Sequence, residues 1–108
     1  MKLTELEPTF VRLEDLNDPK SIIHHVGDLS RAHGILFWCP VCFHTTKAHY
    51  VLCWTPEVPL IHSPAPGRWE MLGTGVSDLT LRAGSSSVQL TNGCRAHFFV
   101  RDGVIVLC

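Results

Sequence analysis

Cys39-Pro40-Val41-Cys42 and Cys94-Arg95-Ala96-His97 each place two soft donors three positions apart, a spacing at which one tight turn can aim both side chains at a single ion. Two such turns complete a tetrahedron, so the expected site is one zinc ion held by Cys39, Cys42, Cys94 and His97. Thiolate and imidazole suit a borderline-soft, redox-inert cation, and four protein donors leave no coordination position for water. The ion is therefore expected to be structural. Structural zinc binds small peptides with about 10 to 16 kcal/mol near neutral pH, comparable to the whole stability of a small domain. Losing any ligand is expected to loosen or unfold the chain. Whether His44 or His49 contributes is left open by the spacing, and Cys53 and Cys108 have no place in this site.

Other readings of the same residues fit less well. Cys42, His44, Cys94 and His97 spell the two-Cys, two-His set of a Rieske cluster, but the halves are widely separated and Cys39 would be idle. A Cys2His2 finger drawn from Cys39, Cys42, His44 and His49 leaves one residue between Cys42 and His44, with no room for the finger's strand and helix. A zinc deaminase would need a His-x-Glu half that is missing before a Pro-Cys-x-x-Cys segment. His24, His25, His33 and His62 read as surface or packed histidines, Ser85-Ser86-Ser87 as a turn, and Trp38, Trp54 and Trp69 as packing residues. No acid–base constellation marks an enzyme.

The elements that must position the metal turns read as mostly β. Thr9–Leu13 is a short strand, a polar turn follows it, and Pro19–Val26 is too short for its period to choose between helix and strand. The preceding Met1 to Leu13 stretch, interrupted by Pro8, suits an extended edge. Gly34–Trp38 is a β-rich run leading into Cys39, and His49–Trp54 can return antiparallel to it. Together they form a zinc-ribbon-like hairpin with residues 43–48 over the metal. Four prolines between Pro56 and Pro66 make a long loop, a candidate contact surface. The rest predicts an antiparallel β-meander or sandwich: Trp69–Leu72, Asp78–Arg82, Ser87–Thr91, His97–Arg101 and Val104–Leu107. Asp102-Gly103 supplies its clearest hairpin turn.

At 108 residues the chain is one domain, 1–108, whose buried surface alone gives modest stability. Nine Lys and Arg against ten Asp and Glu leave it near neutral, which argues against nonspecific binding to nucleic acid or an anionic membrane. No apolar run reaches the length of a membrane span and the amino terminus lacks a signal-like core, so a cytoplasmic protein is expected. A reducing compartment favours metal ligation over disulfides for five cysteines. Edge strands in so small a sheet could pair between copies.

With those motifs in view, Phe37-Trp38-Cys39-Pro40-Val41-Cys42-Phe43, Arg68-Trp69, Leu79-Thr80-Leu81 and Cys94-Arg95-Ala96-His97-Phe98 through Ile105 resemble a family of small uncharacterised bacterial and bacteriophage proteins. That family shows an aromatic-led Cys-Pro-x-Cys turn, a tryptophan strand, a Leu-Thr-Leu-like segment and a Cys-x-x-His-Phe hairpin. The resemblance spans about Gly34 to Val106. It implies a metal-bound β fold, the ligand set Cys39, Cys42, Cys94 and His97, and a phage or bacterial origin, with the host cytosol as the compartment. Many relatives carry a Pro-Ser pair where this chain has Arg82-Ala83-Gly84-Ser85.

The expected function is a zinc-stabilised protein-interaction module that uses the proline-rich loop and the rim of the meander. A nucleic-acid-binding zinc ribbon, served by Lys47, Arg68, Arg82, Arg95 and Arg101, is the alternative. A metal-dependent hydrolase, with water replacing one ligand, is the third.

Overall fold

The computed structural model describes residues 1–43, 45, 48–82, 87–89 and 96–108. Among the described residues, nine strands carry the fold: β1 (Thr9–Leu13), β2 (Ile23–Val26), β3 (Gly34–Trp38), β4 (Tyr50–Trp54), β5 (Glu70–Leu72), β6 (Thr80–Arg82), β7 (Ser87–Gln89), β8 (His97–Arg101) and β9 (Val104–Leu107). They form three antiparallel sheets, ordered β2-β1-β3-β4, β5-β6 and β7-β8-β9. The ambiguous Ile22-to-Val26 run is thus a strand, paired to β1 from Phe10↔Val26 to Leu13↔Ile23.

Two-residue alternation explains how the first sheet is covered. Ile35 and Phe37 of β3 and Val51 and Cys53 of β4 point to one face and are buried there, joined by Phe10 of β1. Val88, Phe98, Val100, Ile105 and Leu81 from the other two sheets close that core. Phe37 and Phe98 meet edge to face at 6.1 Å and 72°; truncating either buried ring to alanine is expected to cost about 3 to 5 kcal/mol. The opposite face builds a second core from Val11, Leu13, Trp54 and Val58. Gly34 sits directly across from Trp54, and a Cβ there would lie 2.7 Å from both the Cys53 carbonyl oxygen and the Trp54 ring. Glycine at that strand position lets the indole lie flat over the neighbouring backbone.

The amino terminus departs from the extended edge expected of it. Leu3–Leu6 is a 3-10 turn, in which residues three apart lie over one another, so both leucines enter the main core with no exposed surface. The Lys2 N–H donates to Glu5 Oε2 at 2.6 Å, and the left-handed Glu7 (φ 51°) ends the turn before β1. Lys2 bridges Val104, and the Leu3 N–H donates to the Gly103 carbonyl at 2.8 Å. This segment therefore staples the last hairpin to the core. The expected meander is divided into a two-stranded and a three-stranded sheet, with β6 packed beside β8. At the β8–β9 turn, Asp102 (φ 48°) and Gly103 (φ 75°) both take the positive φ required of a two-residue hairpin.

Candidate metal centre

Cys39 follows the end of β3 and His49 precedes β4. The β3–β4 register pairs Trp38 with Tyr50, so the next rung pairs Cys39 with His49, and the Cys39 N–H does donate to the His49 carbonyl at 2.8 Å. Directly opposed residues share a sheet face. Cys39 continues the buried Ile35, Phe37 row and His49 continues the Val51, Cys53 row, which aims thiol and imidazole together at the core side. A turn then returns Cys42 to the same place: the Thr45 N–H and hydroxyl both donate to the Cys42 carbonyl at 2.9 Å.

The result is a cluster in which the Cys39 and Cys42 sulfurs and one His49 ring nitrogen all lie within 4.8 Å of one another. Cys39 is fully buried, Cys42 is 9% exposed and His49 is half-buried. Two thiolates and an imidazole at this spacing can hold one metal ion, and the donor set fits a tetrahedral, thiophilic cation with one further position.

Of the residues expected at the site, Cys39 and Cys42 are thus brought together. Cys94 lies outside the described residues, as do His44, Lys47 and Arg95. His97 opens β8 and is exposed, its ring 6.5 Å from that of Phe99, and it does not belong to the three-residue cluster. His49, whose contribution the motif spacing left open, is the third member of the cluster. A finger would bring it in through a helix, whereas here strand register does so with no helix at all. The signal was present in the hairpin: pairing Gly34–Trp38 against Tyr50–Trp54 rung by rung leads from Trp38↔Tyr50 to Cys39↔His49.

Cys53 shares the His49 face but lies four residues further along β4, about 13 Å away at strand rise. Burial pushes its thiol pKa far above the ordinary range, so it stays protonated in the core. His33 is buried too, and it has a structural partner on each side: Nδ1 accepts from the Leu13 N–H at 2.9 Å, and Nε2 stands 4.0 Å from Glu57 Oε1. Desolvation first, then the Arg12 charge, lowers its pKa, against the opposing pull of Glu57.

The proline-rich loop is built around Arg68. Its Nε donates to the Val58 carbonyl at 2.8 Å, Nη1 to those of Pro64 and Gly67 at 2.7 and 2.8 Å, and Nη2 to those of Pro59 and His62 at 2.7 and 3.0 Å. A fixed fork of donors matches this ring of carbonyl oxygens as no other side chain could. Two further bonds fasten the loop to the sheet: Trp54 Nε1 donates to the Ser63 carbonyl at 2.9 Å, and His62 Nε2 donates to that of Leu16 at 2.8 Å. At the tip, Leu60 and Ile61 are left 63% and 52% exposed.

Of the cations offered for nucleic acid, the three among the described residues are engaged within the domain. Arg68 is inside the loop, Arg82 is paired with Glu70 at 2.7 Å, and Arg101 lies 4.3 Å over the Phe99 ring. No helix among the described residues is long and apolar enough to cross a membrane. Comparisons with protein-family models, curated proteins and solved structures give no match.

Proposed function

We propose that the chain is a zinc-stabilised β domain that works as a protein-interaction module in the cytosol of a bacterial or phage-infected cell. The carrying observation is the exposed Leu60–Ile61 tip on a loop fastened from beneath by Arg68, Trp54 and His62. A loop backbone held in one arrangement loses little conformational entropy on binding, which favours docking of its exposed aliphatic side chains into an apolar pocket of another protein.

Zinc at Cys39, Cys42 and His49 fixes the turn and the start of β4. Cys94 supplies the fourth donor in this reading: it stands two residues before Ala96, which is buried in the same core cluster as Cys39 and Cys42. The resemblance to small bacterial and phage proteins supports Cys39, Cys42 and Cys94 as ligands, and it implies His97 where this reading takes His49.

A photo-crosslinking residue at position 61, compared with one at exposed Thr74, tests the interaction. A specific protein captured only from position 61, and lost from Leu60→Asp, is the expected result. Identical capture from both positions, or capture unaffected by Leu60→Asp, would remove the loop from the account.

A further inference from the structure

The first sheet ends in β2, and the hydrogen-bond phase of that strand determines what its open edge presents. The Glu14 N–H donates to the Ile22 carbonyl at 3.0 Å, continuing the β1–β2 register by one rung. Hydrogen-bonded and non-hydrogen-bonded rungs alternate in an antiparallel ladder. Ile22, His24 and Val26 therefore turn their backbone groups toward β1, while Ile23 and His25 turn theirs outward, away from the sheet. The strand is regular across its whole length, with no bulge, no proline and no lysine, the devices that usually blunt an edge. Its side chains include Ile23, 45% exposed, next to Ile22 at 59%.

These outward groups are self-complementary. A second β2, antiparallel and centred on His24, sets Ile23 opposite His25 of the second copy and His25 opposite Ile23 of the second copy. Each is a hydrogen-bonded rung, so four backbone hydrogen bonds form around a two-fold axis. The same register sets Ile22 beside Val26 of the second copy and covers aliphatic surface that the monomer exposes. Continued past the strand ends, it runs Lys20 toward Asp28 of the second copy, so opposite charges meet at both flanks.

We infer that β2 is a dimerisation edge, through which two copies of this chain join their four-stranded sheets into one continuous eight-stranded sheet. The interface is isologous, as two-fold symmetry demands. It depends on β1–β2 pairing and on neither the metal nor the Leu60–Ile61 tip, so it stands or falls separately from the proposed function.

Sedimentation equilibrium of the full chain tests it. Wild type is expected to show a reversible monomer–dimer equilibrium. His25→Pro removes the outward N–H, and Ile23→Lys places a charge at the edge; each should raise the dissociation constant about tenfold or more while the circular dichroism stays unchanged. Should either variant fail to fold, amide exchange of the wild type still decides, because protection at Ile23 and His25 must grow with protein concentration. A wild type that stays monomeric at millimolar concentration, dimer affinity unchanged in both folded variants, or concentration-independent exchange at both amides would overturn the inference.

Discussion

Cys39 and His49 form the rung beyond the end of the β3–β4 ladder, joined through the Cys39 N–H and the His49 carbonyl at 2.8 Å. Because opposed residues share a face, the hairpin register alone carries a thiol and an imidazole to the same point, and the Cys-x-x-Cys turn adds the second thiol. The grouping of these possible metal donors thus follows from strand pairing. An ion bound there would lock the end of the hairpin.

Replacement of Cys39 or Cys42 by serine, or of His49 by alanine, should abolish stoichiometric zinc and lower the melting temperature sharply. Structural zinc sites contribute on the order of the full stability of a small domain. Excess chelator should lower the wild type to the same melting temperature, and added zinc should restore the wild type alone. Calorimetry with and without chelator provides the check.

Arg68 should matter to the loop more than its position on the surface suggests. Arg68→Ala leaves five carbonyl contacts without their donor, an expected loss of about 2 to 3 kcal/mol. Arg68→Lys should recover little of it, because an ammonium cannot reproduce the fork. Denaturant unfolding measures the loss, and limited proteolysis should show new cleavage between positions 58 and 67 in both variants.

His33 gives the domain a pH dependence of known sign. Its folded pKa is below the ordinary histidine value, so between the two values the unfolded chain binds a proton that the folded chain does not. Its contribution is complete above the unfolded value of about 6.5 and is lost as pH falls through the folded one. Protonation would also put a hydrogen on Nδ1, against the Leu13 N–H. Urea titrations across this range should show wild-type stability falling with pH relative to His33→Gln; parallel curves would contradict the assignment.

Gly103 should not tolerate a side chain. It sits at φ 75°, and a Cβ would fall 2.0 Å from the Ser77 carbonyl oxygen, a backbone atom with no freedom to withdraw. Gly103→Ala is expected to cost about 1 to 3 kcal/mol through strain at the turn. Thermal unfolding reads this directly, with Gly75→Ala, where a Cβ meets nothing within 4 Å, as the comparison.

Much of the strand content was legible in the residues. β1, β3, β8 and β9 follow runs of branched and aromatic side chains bounded by Gly, Pro or Asp-Gly, and those local signals survived packing. The Leu3–Leu6 turn was hidden because two leucines three apart fit an extended or a helical segment equally until something covers them. How β1 inserts between β2 and β3 is a long-range pairing with no local mark. Arg68 looked like a surface cation, because its partners are main-chain carbonyls, which no side-chain pattern reveals. His49 was left undecided for a related reason: its place is set by register across a hairpin, and motif spacing looks only along the chain.

X-ray absorption on the zinc-loaded protein tests the site most directly when paired with zinc stoichiometry of His49→Ala and His97→Ala. Sulfur and nitrogen donors in the wild type, with zinc lost from His49→Ala and kept by His97→Ala, is the predicted result. Zinc kept by His49→Ala and lost from His97→Ala would contradict it.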